Sequence, residues 1–316
     1  MRAPDFWQHD GLLAALLGPF SALTALATAR RVARPGWRAP VPVICCGNAT
    51  AGGAGKTTLA LELAARLAPR RLAFLTRGHK GRERGPYRVT AGDTAGRVGD
   101  EALLLAEVAP TWVAADRAAG ARAAVAEGAE LLVMDDGLQN PTLVKDLSLL
   151  VIDGASGFGN GRVIPAGPLR EPVAAAAARC GAAVLIGEDR TGALARLPPA
   201  LAVVRASLVQ KGVEDLVGRR VFAFAGIGLP EKFFVGLQAA GVAVVGTRAF
   251  PDHHPFTAAE IDDVLGQARA ANAWPVTTPK DAARLTATQR AALRVVGVGL
   301  SWQDEAAIDA LLEPLR

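Results

Sequence analysis

A series of short apolar runs, separated by longer alanine-rich stretches, is the feature that most constrains the fold. From Val41 the runs are VPVICC, LAFLT, WVAA, LLVMDD, LSLLVIDG and AAVLIG. Short continuous apolar runs are typical of strands that a parallel sheet buries on both faces, and the stretches between them are typical of helices. The pattern therefore predicts an α/β fold with a doubly wound, mostly parallel sheet.

The same pattern divides the chain. The chain has 316 residues, of which 51% are hydrophobic and 21% charged, as in globular proteins of one large domain or two modest ones. The regularity lapses near 198–211 and resumes in VFAFAGIG and VAVVGTRAF. We predict an N-terminal apolar segment at 1–38, a core domain at 39–210, and a smaller α/β domain at 211–316 that closes over the site of the core domain.

Charge and cysteine content narrow the setting. The formal net charge of +5 fits an anionic partner, whether nucleotide, phospholipid surface or nucleic acid, without choosing among them. Cys45, Cys46 and Cys180 form no C-x-x-C pair and are odd in number, which argues against a disulfide framework or a zinc site. We expect a reduced, cytosolic setting.

The segment Gly11–Ala29 carries no charge and is followed by arginines. Its roughly 19 apolar or small residues approach the length of a bilayer span. A secretory signal lacks its positive n-region here, and Gly18-Pro19 weakens a membrane-spanning helix. The segment could also form a pair of interfacial helices broken near Pro19, or a helix buried by packing. We favour the interfacial pair, with the arginines facing anionic headgroups.

The stretch GNATAGGAGKTT at 47–58 has the context of a phosphate-binding loop. It follows an apolar strand and precedes a helix, so backbone N–H groups and the positive helix end would surround phosphates. Lys56 would reach the β- and γ-phosphates, and the Thr57 hydroxyl would coordinate Mg²⁺. A regular loop has glycine where Thr50 stands, but Gly52 and Gly53 can supply the permissive dihedral angles. A glycine-rich turn that binds nothing is the alternative. The predicted nucleotide-binding residues are Thr50, Ala51, Gly52, Gly53, Ala54, Gly55, Lys56, Thr57 and Thr58.

LLVMDDG at 131–137 supports a nucleotide site. A carboxylate at the C-terminal end of a strand beside such a loop is where a Mg²⁺ ligand is expected. Asp135 and Asp136 are therefore predicted metal ligands together with Thr57. Two aspartates that only end a strand and begin a turn are the alternative, which the presence of both motifs disfavours.

An acidic pair in VGDEALLLAE begins a predicted helix. Two acids in a first helical turn are commonly only partners of the helix dipole. The functional interpretation is that Asp100 accepts the proton of an acceptor hydroxyl during phosphoryl transfer.

Three loops carry further polar candidates. Arg77 in TRGHKGRER is either solvated or faces an anionic substrate. In GFGNGRVIPAGPLREP, Asn160, Arg162, Arg170 and Glu171 either bind a ligand or brace the loop. His253 and His254 precede a helix that begins with a T-x-x-E capping box; metal binding is disfavoured there, whereas a loop histidine could orient a carboxylate base.

Together these stretches resemble the tetraacyldisaccharide 4′-kinases. The likeness rests on GNATAGGAGKTT, LTRGHKGR, VGDEALLLA, VMDDGLQN, KDLSLLVIDG, GNGRVIPAGPLREP, FPDHHPFT and VTTPKDAARL, in order over most of the chain. In that family a threonine or serine normally stands at the position of Thr50. The resemblance implies a P-loop NTPase-type fold. It also implies transfer of the γ-phosphate of ATP to the 4′-hydroxyl of tetraacyldisaccharide 1-phosphate, which forms lipid IVA in lipid A biosynthesis.

The resemblance also implies residue roles and a location. Asp100, His253 and Lys56 would be catalytic, with His253 supporting the base, and the cofactors would be ATP and Mg²⁺. The implied substrate-binding residues are Arg77, Glu101, Gln139, Asn140, Asn160, Arg170 and Glu171. The partners would be the acylated disaccharide 1-phosphate and the inner-membrane surface on its cytoplasmic face, with neither nucleic acid nor a protein partner.

Two places depart from the family pattern. Leu138 and Asn140 replace the aromatic residue and the histidine of D-D-G-F-Q-H; Asn140 cannot titrate near neutral pH, which leaves a hydrogen-bonding role. Pro279 replaces a usually acidic residue, and proline is accepted in a first helical turn.

A membrane-associated ATPase switch of the partitioning type is the main rival function, and a soluble metabolite kinase is a weaker one. The switch needs no Asp100 base.

Overall fold

The computed structural model describes residues 4–315, which form two β-sheets with helices on their faces. In chain order the strands are β1 (Val43–Gly47), β2 (Leu72–Thr76), β3 (Tyr87–Arg88), β4 (Thr111–Val113), β5 (Leu131–Asp135), β6 (Leu147–Asp153), β7 (Ala182–Ile186), β8 (Ala202–Lys211), β9 (Arg220–Ala225), β10 (Ala243–Ala249), β11 (Trp274–Thr277), β12 (Arg294–Val295) and β13 (Gly297–Trp302).

The helices follow the same alternation with strands. They are α1 (Leu12–Leu16), α2 (Gly18–Val32), α3 (Lys56–Arg66), α4 (Ala95–Val98), α5 (Asp100–Ala106), α6 (Arg117–Ala126), α7 (Val173–Ala177), α8 (Pro230–Ala239), α9 (Ala258–Ala270), α10 (Pro279–Ala282), α11 (Ala287–Ala291) and α12 (Glu305–Leu312). Short 3₁₀ turns occupy Asp5–Trp7, Ala193–Arg196, Glu214–Leu216 and Glu313–Leu315.

The first sheet has the strand order β13-β8-β7-β6-β1-β5-β2-β4-β3. Its two outer pairs, β13 with β8 and β3 with β4, are antiparallel, and the other neighbours are parallel. The predicted doubly wound, mostly parallel sheet is therefore confirmed. The predicted apolar runs became its central strands because each is buried on both faces.

Alternate residues of β1 face two different cores. Val43 and Cys45 pack with α6 and α7, whereas Ile44 and Cys46 pack with α3 and α12. Successive side chains of a strand point to opposite faces, so an uninterrupted apolar run is what a sheet covered on both sides requires. The two layers of helices hold β1 and the segment after it at the centre of the molecule.

The second sheet is smaller and fully parallel, with the order β10-β9-β11-β12. Helix α8 covers one face and α9 the other. The chain then returns: β13 pairs with β8, and α12 packs into a core of the first sheet. Two elements of the predicted 211–316 domain thus pack with the first sheet. Sequence order could not indicate this, because four strands separate β8 from β13.

The uncharged N-terminal segment folds as two helices. Helix α1 ends at Leu16, and α2 begins at Gly18 with Pro19 in its first turn, so the predicted break lies beside the proline. The side chains of Leu12, Leu13, Leu16, Phe20, Leu23 and Leu26 are between 47% and 79% exposed. Within residues 4–315, no helix has both the length and the apolar character needed to cross a membrane.

Ser21 anchors α2 to the loop that follows β6. Its buried hydroxyl donates a hydrogen bond to the Val163 carbonyl (2.6 Å) and accepts one from the Ala166 N–H (3.2 Å). In the same loop, the Asn160 amide donates to the carbonyls of Ala166 (2.8 Å) and Phe6 (3.2 Å). The exposed apolar side chains of α2, those of Phe20, Leu23 and Leu26, therefore lie on a helix that is fixed to the body of the protein.

We expect Ser21→Ala to loosen α2. The substitution removes both hydrogen bonds of the hydroxyl, at about 0.5–1.5 kcal/mol each, while the Val163 carbonyl keeps the backbone N–H groups of Ala166 and Gly167 as donors. Amide hydrogen exchange of α2 measures the effect. Thr24→Ala is the control, because the Thr24 hydroxyl donates to the Phe20 carbonyl within the same helix. Equal protection of α2 in both variants would contradict the anchoring role.

Candidate active site

The segment between β1 and α3 has the backbone of a phosphate-binding loop. Gly52 and Gly55 have φ of +135° and +86°, and Gly55 is the N-cap of α3. The free N–H groups of the first helical turn therefore face the loop. Thr50 needs no such conformation: its backbone bridges Leu169, and its hydroxyl accepts a hydrogen bond from the Asn48 amide (3.1 Å). The glycine missing at position 50 is not required by this geometry.

Pairing of β1 with β5 brings the two nucleotide motifs together. The Thr57 hydroxyl donates a hydrogen bond to Asp135 Oδ2 at 2.9 Å. Lys56 Nζ lies 3.3 Å from the Gly52 carbonyl and 3.8 Å from Asp136 Oδ1. The lysine thus bends back over its own loop, where it can meet a phosphate.

Asp135 has the properties expected of a Mg²⁺ ligand. It is buried, and its Oδ1 accepts no hydrogen bond from any residue between 4 and 315. Burial first, and then the charge of Glu101, raise the pKa of Asp135 to about 7, while Lys56 acts in the opposite sense. A cation beside this carboxylate would favour its ionised form.

The described part of the chain holds no cluster of three or more His, Cys, Asp or Glu side chains suited to a metal ion. A magnesium site needs no such cluster, because Mg²⁺ is commonly held by one or two carboxylates, water and the phosphates of the substrate. The oxygens of Thr57, Asp135 and Asp136 fit that donor set.

Arg170 ties the loop after β6 to this region. Its guanidinium makes two hydrogen bonds to Asp136, at 2.7 and 3.0 Å, and its backbone N–H donates to the Ala49 carbonyl at 2.7 Å. Burial disfavours the charge on Asp136, but Lys56 and Arg170 outweigh it and lower the pKa of that carboxyl. Asp136 also has φ of +56°, so the tight turn after β5 is what presents it to both cations.

Gln139 and Glu171 form a brace beside the phosphate-binding loop. The Gln139 amide donates to the Asn48 carbonyl (2.9 Å) and to Glu171 Oε1 (2.8 Å). Glu171 also accepts two hydrogen bonds from Arg179, at 2.6 and 2.8 Å. The structure thus joins these two predicted residues to the nucleotide loop.

Three of the other predicted substrate-binding residues lie outside this network. Asn140 Oδ1 accepts hydrogen bonds from the backbone N–H and the hydroxyl of Thr142, at 3.0 and 2.9 Å, and so stabilises a turn. Asn160 holds the N-terminal segment through its hydrogen bond to Phe6. Arg77 is exposed just after β2. Their roles in binding substrate stay predictions.

Asp100, at the start of α5, is buried against residues from the segments that follow β10 and β11 of the second sheet. His253 Nδ1 lies 2.5 Å from Asp100 Oδ2, and Arg284 reaches the same oxygen through Nη2 (2.6 Å) and Nε (3.1 Å). Burial raises the pKa of Asp100, but the hydrogen bonds from His253 and Arg284 outweigh it and lower that pKa to about 2. Asp100 is therefore an ionised carboxylate at neutral pH.

The structure distinguishes the two adjacent histidines. His253 has φ of +60° and faces Asp100. His254 instead pairs with Glu260 at 2.9 Å and stacks on Phe250. His253 is therefore the histidine in contact with the carboxylate.

Sequence reasoning missed four residues of this region: Asn48, Arg117, Lys280 and Arg284. Lys280 pairs with Glu101 at 3.0 Å, and Arg284 with Asp100. Their spacing of four in PKDAAR places both cations on one face of a helical turn, matching two adjacent acids, and this was the available signal. Arg117 is buried, which lowers its pKa to about 10, so it stays charged at neutral pH.

The comparisons with known proteins decide which enzymes this site belongs with. The sequence profile of the tetraacyldisaccharide-1-P 4′-kinases matches residues 13–316. This chain belongs to the tetraacyldisaccharide 4′-kinase family. The tetraacyldisaccharide 4′-kinase of Gluconacetobacter diazotrophicus is 58% identical to this chain, and the match covers 99% of this chain and 98% of the relative. The tetraacyldisaccharide 4′-kinase of Rhodospirillum centenum is 54% identical, and the match covers 100% of this chain and 97% of the relative. The resemblance deduced from the motifs is thus confirmed.

A solved structure agrees. LpxK from Aquifex aeolicus, crystallised in complex with ATP, is 26% identical with a TM-score of 0.77, and the match covers 96% of this chain and 99% of that one. A tetraacyldisaccharide 4′-kinase is an ATP-dependent phosphotransferase, so membership favours the kinase over the ATPase switch.

In this kinase, Gly99 determines where Asp100 lies. Gly99 has φ of +88° and is the N-cap of α5. A Cβ at this position would lie 2.5 Å from the His79 carbonyl oxygen. The loop after β2 therefore packs directly on the residue that precedes the carboxylate.

We expect Gly99→Ala to lower both stability and turnover. Its backbone conformation is nearly exclusive to glycine and costs a residue with a side chain roughly 1–3 kcal/mol, before the contact with His79 is counted. Thermal unfolding and kcat measure the two effects. Gly96→Ala in α4 is the control, because a Cβ there meets nothing within 4 Å. If the two variants behave alike, Gly99 does not position Asp100.

Proposed function

We propose that this kinase transfers the γ-phosphate of ATP to the 4′-hydroxyl of tetraacyldisaccharide 1-phosphate, with Asp100 as the acceptor of the hydroxyl proton. The observation that carries the proposal is that Asp100 is buried, ionised and hydrogen-bonded to His253. Asp100 directly precedes Glu101 in the sequence. Glu101 in turn interacts electrostatically with Lys56 and Asp135 of the nucleotide site. A proton acceptor therefore adjoins a phosphate-binding loop, which phosphoryl transfer to an alcohol requires.

The nucleotide half of the site follows from the loop. Residues 50–58 would surround the phosphates with backbone N–H groups, and Lys56 would leave Asp136 to neutralise the β- and γ-phosphates. Thr57, Asp135 and Asp136 would hold Mg²⁺, which would supply positive charge to the phosphate oxygens. Arg170 keeps Asp136 ionised and in place for this task.

The acceptor half depends on the low pKa of Asp100. In a loose transition state the hydroxyl loses its proton late, so a weakly basic carboxylate in the right place suffices. An ionised carboxylate only accepts hydrogen bonds, so His253 donates through Nδ1–H and fixes the side chain. The remaining predicted residues, Arg77, Asn140 and Asn160, would meet the disaccharide 1-phosphate from the surrounding loops.

We further propose that α1 and α2 rest on a membrane surface. Their six large apolar side chains are exposed, and Arg30 and Arg31 lie in the last turn of α2. Residues 11–38 contain no acidic side chain. Apolar side chains beside arginines suit the boundary between acyl chains and anionic headgroups. Since the reaction consumes ATP, the cytoplasmic face of the inner membrane is the proposed location.

We expect Asp100→Asn to lower kcat by roughly 10²–10⁴-fold, the usual contribution of a general base, without loss of ATP binding. The assay is the gain of one phosphate by detergent-dispersed tetraacyldisaccharide 1-phosphate. Glu107→Gln, at the exposed end of the same helix, should turn over like the parent. Loss of ATP binding in Asp100→Asn would place Asp100 at the metal, and substrate-independent hydrolysis by the parent would refute the kinase.

We expect the triple variant Leu12→Ser, Leu16→Ser, Leu23→Ser to bind vesicles of phosphatidylethanolamine and phosphatidylglycerol far more weakly. Each apolar side chain contributes about 1.5–3 kcal/mol when fully buried, and polar replacements remove that gain. Sedimentation with vesicles measures the binding. The control changes Leu208, Leu229 and Val235, which are 50%, 59% and 60% exposed elsewhere, to serine. Unchanged sedimentation of the first variant would contradict the proposed surface.

A further inference from the structure

Arg284 joins the two sheets through Asp100. It lies just after α10, and both its side chain and that of Asp100 are nearly buried, at 6% and 5% exposed. Nε and Nη2 donate to Asp100 Oδ2 at 3.1 and 2.6 Å, while Nη1 donates to the Gly226 carbonyl and to Asp281 Oδ1, at 3.1 and 3.0 Å. Residues of the second sheet's loops and turns therefore hold the guanidinium in place where it meets Asp100.

The contacts of Asp100 are unevenly divided between its two oxygens. His253 and Arg284 both bind Oδ2. Oδ1 accepts no hydrogen bond from the residues that the structure describes. The terminal torsion of an aspartate rotates broadly when nothing restrains it. Two donors from separate elements on Oδ2 remove that freedom and leave Oδ1 as the oxygen open to a ligand.

We propose that Arg284 is a positioning residue of the transfer reaction, which holds Asp100 by Oδ2 so that Oδ1 receives the proton of the acceptor hydroxyl. This inference rests on the proposed role of Asp100. Arg284 touches neither ATP nor acceptor on this view, and it acts only through the carboxylate. A fork of donors in one plane suits the task, because it fixes direction as well as distance.

Arg284 also bears on the charge of Asp100. The other charged or titratable groups around that carboxylate are His253, Lys280, Asp281 and the adjacent Glu101. Without the guanidinium, the buried carboxylates of Asp100 and Asp281 would both lose the cation that they share. The pKa of Asp100 would then rise, so that protonation at acid pH would remove a growing share of the active form.

The test compares Arg284→Gln and Arg284→Lys with the parent, with Arg290→Gln as the control. Arg290 makes an exposed ion pair at 3.2 Å with Glu107, which likewise joins the second sheet's region to α5. We expect Arg284→Gln to lose roughly tenfold or more in kcat, as misplaced catalytic groups do, with little change in KM for ATP. Its kcat relative to the parent should fall further as pH is lowered.

Arg284→Lys retains the charge without the fork. Its kcat should lie between those of the parent and Arg284→Gln, with a pH profile like that of the parent, and Arg290→Gln should match the parent throughout. Parent-like kcat and pH dependence in Arg284→Gln would overturn the inference. If thermal unfolding shows that Arg284→Gln does not fold, Arg284→Lys decides: reduced kcat at unchanged KM for ATP supports the inference, and parent-like kcat overturns it.

Asp100→Asn separates failure of this inference from failure of the proposed function. If Asp100→Asn keeps the parent's turnover, the role of Asp100 fails and the inference fails with it. If Asp100→Asn is inactive while Arg284→Gln behaves as the parent, only the inference about Arg284 is wrong.

Discussion

The parallel pairing of β1 with β5 is the constraint on which the site depends. It sets Cys46 beside Asp135, so that the first turn of α3 and the end of β5 meet at one edge of the sheet. Both strands are buried on both faces, so a shift in register would move polar end residues into the core. The contact between Thr57 and Asp135 follows from that register, and Asp136 reaches Lys56 through the turn that comes next.

The second constraint is the contact between the two sheets. Asp100 belongs to the first sheet's layer, yet the groups that ionise and orient it, His253 and Arg284, come from loops and turns of the second sheet. Lys280 repeats the arrangement with Glu101. After the second sheet, β13 pairs with β8 and α12 packs against the first sheet, so the chain connects the two sheets at this end as well. The carboxylate of Asp100 therefore has both of its partners only when the two sheets are in contact.

Much of the fold and the nucleotide half of the site could be predicted from sequence. Short continuous apolar runs are typical of strands in a sheet covered on both faces, and a glycine loop between such a strand and a helix N-terminus is suited to binding an anion. The acceptor half was harder. Neither His253 nor His254 could be preferred from the residues alone, because adjacent residues in a loop point in directions that only the backbone decides. Asn140 bonds within its own turn, which the Asn-Pro pair at 140–141 is typical of. Asn160 bonds to the N-terminal segment, a long-range contact that no local pattern encodes.

The sequence by itself determined the succession of strands along the chain, the phosphate-binding loop, the paired aspartates and, through ordered motifs, the family. These depend on interactions between near neighbours along the chain, which short patterns encode directly. Only the tertiary structure decided which cations meet Asp100 and Glu101, which histidine faces the carboxylate, and that β13 closes the first sheet. Those contacts join residues more than 80 positions apart. These contacts form through long-range packing, which the local propensities of a sequence do not encode.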